Sequence, residues 1–373
     1  MKNLPFSGIA GMKQQVRFCT SADGTRIAYA ISGNGPPLLM STTWLTHLEY
    51  QHRSLAWRPW LDALSQHYTL IRYDPRGCGM SDRAVADLSF ESWMMDFEAV
   101  VGASGYQRFA LLGVCWGGPI AMTYAALHPE RISKLVLYGT YARGRLQRTG
   151  SPQEIEKARL LLELTHLGWA QENHAFLQVW ATAFQPAGTM EHLRSWCDMQ
   201  RISTSAETAV ALSRVSFGVD VRAMVPRIAC PTLVIHADRD AVVPIEEGRI
   251  IASLIADARF VQLDSDNHML LPAEPAWARF LSELRGFLPE SINCRSTSGE
   301  QVRLATLTAR ENDVLNAIAQ GRSNAQIADG LGRSEKTVRN HITRIFDKLS
   351  VQSRAQAIVL AREAGFGQER AVS

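Results

Sequence analysis

Short apolar runs alternate with stretches of helical periodicity from near the start of the chain to about residue 290. The β-rich runs are Gln15–Thr20, Arg26–Ile31, Pro37–Ser41, Tyr68–Tyr73, Phe109–Val114, Lys134–Tyr138, Thr232–Ala237 and Arg259–Leu263. Alternation of this kind predicts an α/β fold with a parallel sheet covered by helices. Several runs are apolar at consecutive positions, as expected where both sheet faces are buried. Between them, Phe90, Trp93, Met94, Phe97, Val100 and Val101 fall on one helical face. The alternation stops between about residues 144 and 219, where helical periodicity and aromatics (Trp169, Phe176, Trp180, Phe184, Trp196, Phe217) predict a helical lid. Those rings are expected mainly in internal packing.

Pro, Ser, Gly and charged residues cluster without periodicity over 289–303, which reads as a linker. Short helical patterns follow. Thr308 is an N-cap with Glu311 completing a capping box, and Val314, Leu315 and Ile318 form the apolar face. Gly321 ends that helix, and Ser323-Asn324 caps the next, Ala325–Leu331. Gly332-Arg333-Ser334 is a turn, with Ser334 capping a longer helix to about Leu349; a short helix from about Arg354 to Ala364 closes the unit. The expected organisation is an α/β domain over 15–288, the linker, and a small all-α domain over 304–368.

Composition narrows the class. A chain of 373 residues with 46% apolar and 20% charged residues suits two globular domains. No apolar run approaches the ~20 residues of a membrane span, and the first residues lack the apolar core of a secretory signal. Residues 1–11, ahead of Met12, read as an extension outside the patterned region. Cys19, Cys78, Cys115, Cys197, Cys230 and Cys294 are scattered without a C-x-x-C pair, so reduced thiols in a cytoplasm are expected, with no metal site and no cofactor. Residues 1–299 carry 28 basic and 28 acidic side chains, whereas 300–373 carry 11 and 8, so the net +3 resides in the C-terminal piece.

On the longest C-terminal helix, Val338, Ile342 and Ile345 face inward while Lys336, Arg339, Arg344 and Lys348 leave a cationic outer side. A polar helix N-terminus after a tight turn, set on a second short helix, is the geometry that enters a DNA major groove. The string carrying Leu307, Thr308, Arg310, Glu311, Val314, Leu315, Gly321, Ser323, Asn324, Ile327, Ala328, Leu331, Ser334, Thr337, Val338, His341, Ile345, Lys348, Leu349, Val351, Arg354 and Ala357 resembles the LuxR-type helix-turn-helix. The resemblance implies a homodimer on double-stranded DNA with an inverted repeat, the last helix lying at the dimer contact. It implies base contacts from Arg339, Asn340 and Thr343, and phosphate contacts from Ser334, Lys336, Thr337, Arg344 and Lys348.

Upstream, Leu111-Leu-Gly-Val-Cys-Trp-Gly-Gly118 has the strand-to-helix spacing of a nucleophile elbow, with Cys115 at the nucleophile position and small residues at 113 and 117. Asp240 follows the run ending at Ala237, and His268 follows the run ending at Leu263, in the order nucleophile, acid, histidine. Residues 15–288 thus resemble the α/β-hydrolase family, and Tyr73-Asp-Pro-Arg-Gly-Cys-Gly-Met-Ser81 looks like its D-x-R-G-x-G-x-S loop, for which a structural role is expected. The resemblance implies that Cys115 attacks a carbonyl, His268 takes the thiol proton and Asp240 holds the imidazole, with Trp116 and Trp44 supplying oxyanion-hole amides. The sequence departs from the family in two ways: cysteine replaces the usual serine, as in dienelactone hydrolases, and Thr42-Thr43 replaces the usual His-Gly. His47, Tyr50 and Met269, with Trp44 and Trp116, are expected to line a pocket for a small apolar ester, lactone or aromatic compound. Two functions remain open: a transcriptional regulator that senses this ligand, and a Cys-His-Asp hydrolase with secondary DNA binding.

Overall fold

The computed structural model describes residues 14–148, 152–169, 175–288, 307–349, 351, 354–363 and 366–367. The expected N-terminal extension and linker lie outside these residues. The chain divides into two compact units, Met1–Cys294 and Arg295–Ser373.

In the first unit, strands β1 (Gln15–Thr20) and β2 (Arg26–Ser32) are joined by a tight turn whose Gly24 takes φ +90°. So short a link allows only antiparallel pairing, and β2 also pairs antiparallel with β4. The sheet therefore opens with antiparallel pairings ahead of the parallel strands that the apolar pattern predicts. β3 (Pro37–Met40), α1 (Leu48–Gln51), α2 (Arg58–Ser65), β4 (Thr69–Tyr73), α3 (Phe90–Ser104), β5 (Phe109–Val114), α4 (Gly117–Leu127) and β6 (Ile132–Tyr138) follow. Every residue of β3, β4 and β5 is buried, which explains their unbroken apolar runs, whereas edge strand β1 is largely exposed.

A helical insertion then interrupts the sheet: α5 (Arg145–Arg148), α6 (Pro152–Gly168), α7 (Ala175–Phe184), α8 (Met190–Ser203) and α9 (Ala206–Gly218). Its two ends are pinned together. Gly144 N donates to Val219 O at 2.6 Å and Val221 N to Ala142 O at 2.8 Å, so the lid leaves and rejoins the sheet through one neck. β7 (Thr232–Ala237), α10 (Ile245–Leu254), β8 (Ala258–Leu263) and α11 (Pro275–Phe287) complete the unit. The strand order is β1-β2-β4-β3-β5-β6-β7-β8, and all pairings from β4 onward are parallel. The carboxyl ends of β5, β7 and β8 thus open on the same side, where such sheets carry their sites.

The D-x-R-G-x-G-x-S loop braces this framework. Asp74 accepts from Thr46 Oγ1 at 2.6 Å and from the amides of Leu48 and Met80. Arg76 donates to both Asp96 oxygens on α3, at 2.7 and 2.9 Å, and to Asp23 in the β1–β2 turn at 2.6 Å. Ser81 Oγ bridges Asp74 O and Ala28 N.

Among its described residues the second unit holds four helices, α12 (Ala309–Ala319), α13 (Asn324–Leu331), α14 (Glu335–Leu349) and α15 (Arg354–Glu363). Thr308 and Glu311 form the expected capping box, and Ser323 with Gln326 forms a second one. Gly332 takes φ +61°, the left-handed conformation that ends a helix without penalty for glycine. Val314, Leu315, Ile318, Ile327, Val338, Ile342, Ile345 and Leu349 make the core. Among the described residues no helix is long and apolar enough to cross a membrane.

Candidate functional site

Cys115 sits between β5 and α4 at φ +51°. Among the described residues the other non-glycine position with positive φ is Leu45, at +50°, beside Trp44. Both strained residues thus belong to the segments assigned the nucleophile and an oxyanion donor, and strain of this kind persists only where surrounding structure enforces it. At the elbow that enforcement is steric. A Cβ on Gly117 would lie 2.1 Å from Thr42 O, one on Gly118 1.8 Å from Thr140 Oγ1, and one on Gly113 2.9 Å from Ala121 Cβ. Thr140 Oγ1 also donates to Cys115 O at 2.5 Å, fixing the peptide behind the nucleophile. Among the described residues the amides of Trp44 and Trp116 have no backbone acceptor, which leaves both free to donate.

His268 Nδ1 donates to Asp240 Oδ2 at 2.6 Å, and Asp240 Oδ1 accepts from the amides of Val242 and Val243 at 2.8 and 2.9 Å. Both side chains are fully buried. Burial disfavours the charged ring, but the Asp240 carboxylate and the nearby Cys115 outweigh it and push His268 up to about 10. Burial likewise opposes ionisation of Asp240, yet the facing His268 and His236 hold its carboxyl below the usual range. His268 Nε2 has no hydrogen-bond partner among the described residues, although Cys115 acts on the ring. The ring rests on Gly139, where a Cβ would come within 2.9 Å of Cε1. His236 was missed by sequence reasoning: its Nε2 donates to Val243 O at 2.8 Å and stands 3.5 Å from Asp240 Oδ2.

A cleft with about 420 Å³ of empty space, part of it open to solvent, lies at Cys115. It is lined by Trp44, Trp116, Tyr141, Arg145, Arg148, Trp180, Phe184, Ser213, Ser216, Phe217, Val242 and Val243. Trp180, Phe184 and Phe217, expected as packing residues, do both: Trp44 stacks on Phe184 at 5.2 Å and meets Trp180 at 4.8 Å. His47, Tyr50 and Met269 do not line the cavity. His47 is the N-cap of α1, its Nδ1 accepting from Tyr50 N. Tyr50 faces Ser195 and Asp198 of α8, and Met269 is buried in the core. The misplacement has a common cause: all three are neighbours of site residues in sequence, and the local backbone turns them away. Tyr141, Arg145, Arg148, Ser213 and Ser216 carry no sequence signal, because only the folded lid brings them to the elbow. Val242 and Val243 could have been found, since they follow the triad acid directly.

In the second unit, Ser334, Lys336, Arg339, Asn340, Thr343 and Arg344 are exposed on α14 and Thr337 is half-buried. Ser334 Oγ accepts from Thr337 N at 3.3 Å and caps the helix. Lys348, expected at a phosphate, is also engaged within this unit. Its Nζ donates to Glu311 Oε2 at 2.7 Å, and that same oxygen accepts from Thr308 N at 2.8 Å. The Lys348 ammonium and the Thr308 amide hold the Glu311 carboxyl down at about 2. Lys348→Ala is therefore expected to destabilise this unit by about 1.5–3 kcal/mol, the worth of a charged hydrogen bond. The lowered Glu311 pKa makes this contribution present above pH 4.5 and lost as pH falls toward 2. Thermal melts of wild type and variant that coincide at pH 7 would contradict it.

The alpha/beta hydrolase fold family matches residues 36–202, and the luxR family of bacterial regulatory proteins matches residues 305–361. RutD of Azorhizobium caulinodans, which bears the name of a carbamate hydrolase, is 28% identical over 251 residues, 66% of this chain and 89% of RutD. The nitrate/nitrite response regulator protein NarP of Escherichia coli is 41% identical over 98 residues, 26% of this chain and 46% of NarP. An esterase structure from Exiguobacterium antarcticum covers 72% of this chain and 98% of its own, with TM-score 0.61 and 24% identity, a likeness of fold. The chain therefore joins an α/β-hydrolase-fold domain to a C-terminal helix-turn-helix DNA-binding domain of the LuxR family of bacterial regulators.

Proposed function

We propose that this protein is a transcriptional regulator in which the hydrolase-fold domain senses a small ligand, an ester, lactone or aromatic compound, and that it acts as a cytoplasmic homodimer on an inverted-repeat operator. The observation that carries the reading is the face of α14. Arg339, Asn340, Thr343 and Arg344 are exposed beside the capped N-terminus while Val338, Ile342 and Ile345 hold the opposite face in the core. That leaves base-reading and phosphate-binding groups on one solvent side. The ligand's differential affinity for two states of the protein would couple cavity and operator, and the coupling is reciprocal.

The test is operator binding across a salt series. Association should weaken steeply with added salt, because displaced counterions drive it. Arg339→Ala should cost about 1–3 kcal/mol on the preferred site and little on unrelated DNA, so that the preference relaxes. Salt-insensitive binding, or an unchanged preference in the variant, would count against the regulator reading.

A second reading, hydrolysis as the main task, is favoured by the His268–Asp240 pair at 2.6 Å. The replacement of the oxyanion loop's usual His-Gly by Thr42-Thr43 and of serine by cysteine favours slow release of an acyl group over fast turnover. The two readings meet in a receptor that captures its ligand on Cys115.

A further inference from the structure

Near the end of β7 the ring of His236 is fully buried beside Asp240. Both atoms that face its Nε2 are acceptors, Val243 O at 2.8 Å and Asp240 Oδ2 at 3.5 Å, so the ring carries its proton there. The shorter contact takes that proton. Burial holds His236 below the usual histidine range, against the pull of Asp240; the other charged groups that bear on it are His268 and Arg148. The ring is therefore neutral at pH 7, with a single N–H to give. At its other nitrogen, a Cβ on Gly248 of α10 would lie 2.6 Å from Nδ1, so a glycine lets that helix seat the ring. Val243 is thereby tied at both ends of its peptide unit: its carbonyl accepts from His236, and its amide donates to Asp240 Oδ1 at 2.9 Å. The Val242 amide meets the same Oδ1 at 2.8 Å, which leaves Asp240 Oδ2 for His268 at 2.6 Å.

We infer that His236 is a positioning residue of the candidate triad: by holding Val243 O it fixes the turn whose amides aim the Asp240 carboxylate at His268. This rests on the reading of Cys115 as a nucleophile served by His268 and Asp240, and it adds a fourth side chain to that group. An apolar side chain at 236 would leave Val243 O without its donor, a penalty the turn relieves by moving. The amides of Val242 and Val243 move with it. Asp240 then loses its aim, and the His268 imidazole loses the partner that orients it and favours its charged form. Val242 and Val243 also line the cleft at Cys115, so the same displacement reaches the wall that a ligand would meet.

The experiment uses the full chain with two readouts, the rate at which iodoacetamide labels Cys115 at pH 7 and the titration of the His268 ring by histidine-selective NMR. In the labelling step sulfur bonds the methylene carbon, iodide leaves with the bonding pair, and His268 takes the thiol proton. His236→Leu should slow labelling by roughly ten-fold, part of the span of a general base. His268, which Asp240 and Cys115 hold up at about 10 against burial, should titrate lower by about one pH unit in that variant. His236→Gln, whose amide N–H can stand where Nε2–H stands, should keep both native values. Gly248→Ala presses on Nδ1 without touching the candidate triad and should shift both readouts as His236→Leu does, which also covers a leucine variant that fails to fold. Native values in a folded His236→Leu, or in Gly248→Ala, would overturn the inference and leave the reading of Cys115 intact. His236→Gln shifted as far as His236→Leu would assign the effect to the ring's bulk and overturn it as well. A native chain in which Cys115 labels no faster than the other cysteines would remove the reading of Cys115 as a nucleophile, and the inference with it.

Discussion

Replacing Arg76 with alanine is expected to destabilise the hydrolase-fold domain by about 3–5 kcal/mol, the usual loss when one partner of a buried ion pair is removed. Arg76 and Asp96 are 1% and 0% exposed, and the arginine is the cation that meets both oxygens of that carboxylate. Its removal also unties the β1–β2 turn by taking the partner of Asp23, whose carboxyl Arg76 holds down at about 2. Burial already pushes the Asp96 carboxyl above the ordinary range, against the pull of Arg76. Without the guanidinium the folded-state value rises further, so the folded variant binds a proton more readily than the unfolded chain. The loss should accordingly shrink as pH falls and the acid neutralises. Urea unfolding at pH 7 and pH 5 reads both effects. The pair Arg76→Met with Asp96→Leu should recover much of the stability, because apolar replacements leave no uncompensated charge. A single variant as stable as wild type would show that the loop does not brace the fold.

The second large effect concerns the elbow. With p-nitrophenyl acetate, the protein is expected to release about one equivalent of p-nitrophenolate per chain in a fast phase and to turn over slowly afterwards. The Cys115 sulfur bonds the acyl carbon, p-nitrophenolate departs with the bonding pair, and the thiol proton passes to His268. The amides of Trp44 and Trp116 would receive the charge that gathers on the carbonyl oxygen. Cys115→Ala should abolish the fast phase and the acetyl adduct seen by mass spectrometry. His268→Ala should slow acylation by roughly 10²–10⁴-fold, the span of general base catalysis. Asp240→Asn should be comparably severe, since the amide no longer fixes the tautomer that directs Nε2 toward sulfur. A chain that shows neither burst nor adduct would exclude covalent capture while leaving non-covalent sensing in place.

Much of this architecture is legible in the sequence because it is local. β5, the elbow and α4 are contiguous, so glycines at 113, 117 and 118 around Cys115 predict the strained turn that φ +51° records. The capping box at Thr308 and Glu311 is equally local, with donor and acceptor three positions apart. What escapes is set by distant partners. The cationic face of α14 reads the same whether or not Lys348 is engaged, and its partner Glu311 lies 37 positions earlier. The two arginines of the cavity are ordinary surface residues until the lid neck brings α5 over the elbow. The β1–β2 hairpin was visible as two strands, but its antiparallel sense depends on the short turn between them, which the apolar pattern does not record.

The glycines and Thr140 that crowd Cys115 make the elbow a rigid mount with one exchangeable tip. Nothing in that crowding refers to sulfur: the clashes are with backbone and with neighbouring methyl and hydroxyl groups. None of these contacts is made to the sulfur, so the mount does not depend on which nucleophile it carries. Exchanging that tip from sulfur to oxygen would therefore change the nucleophile and leave its mount in place.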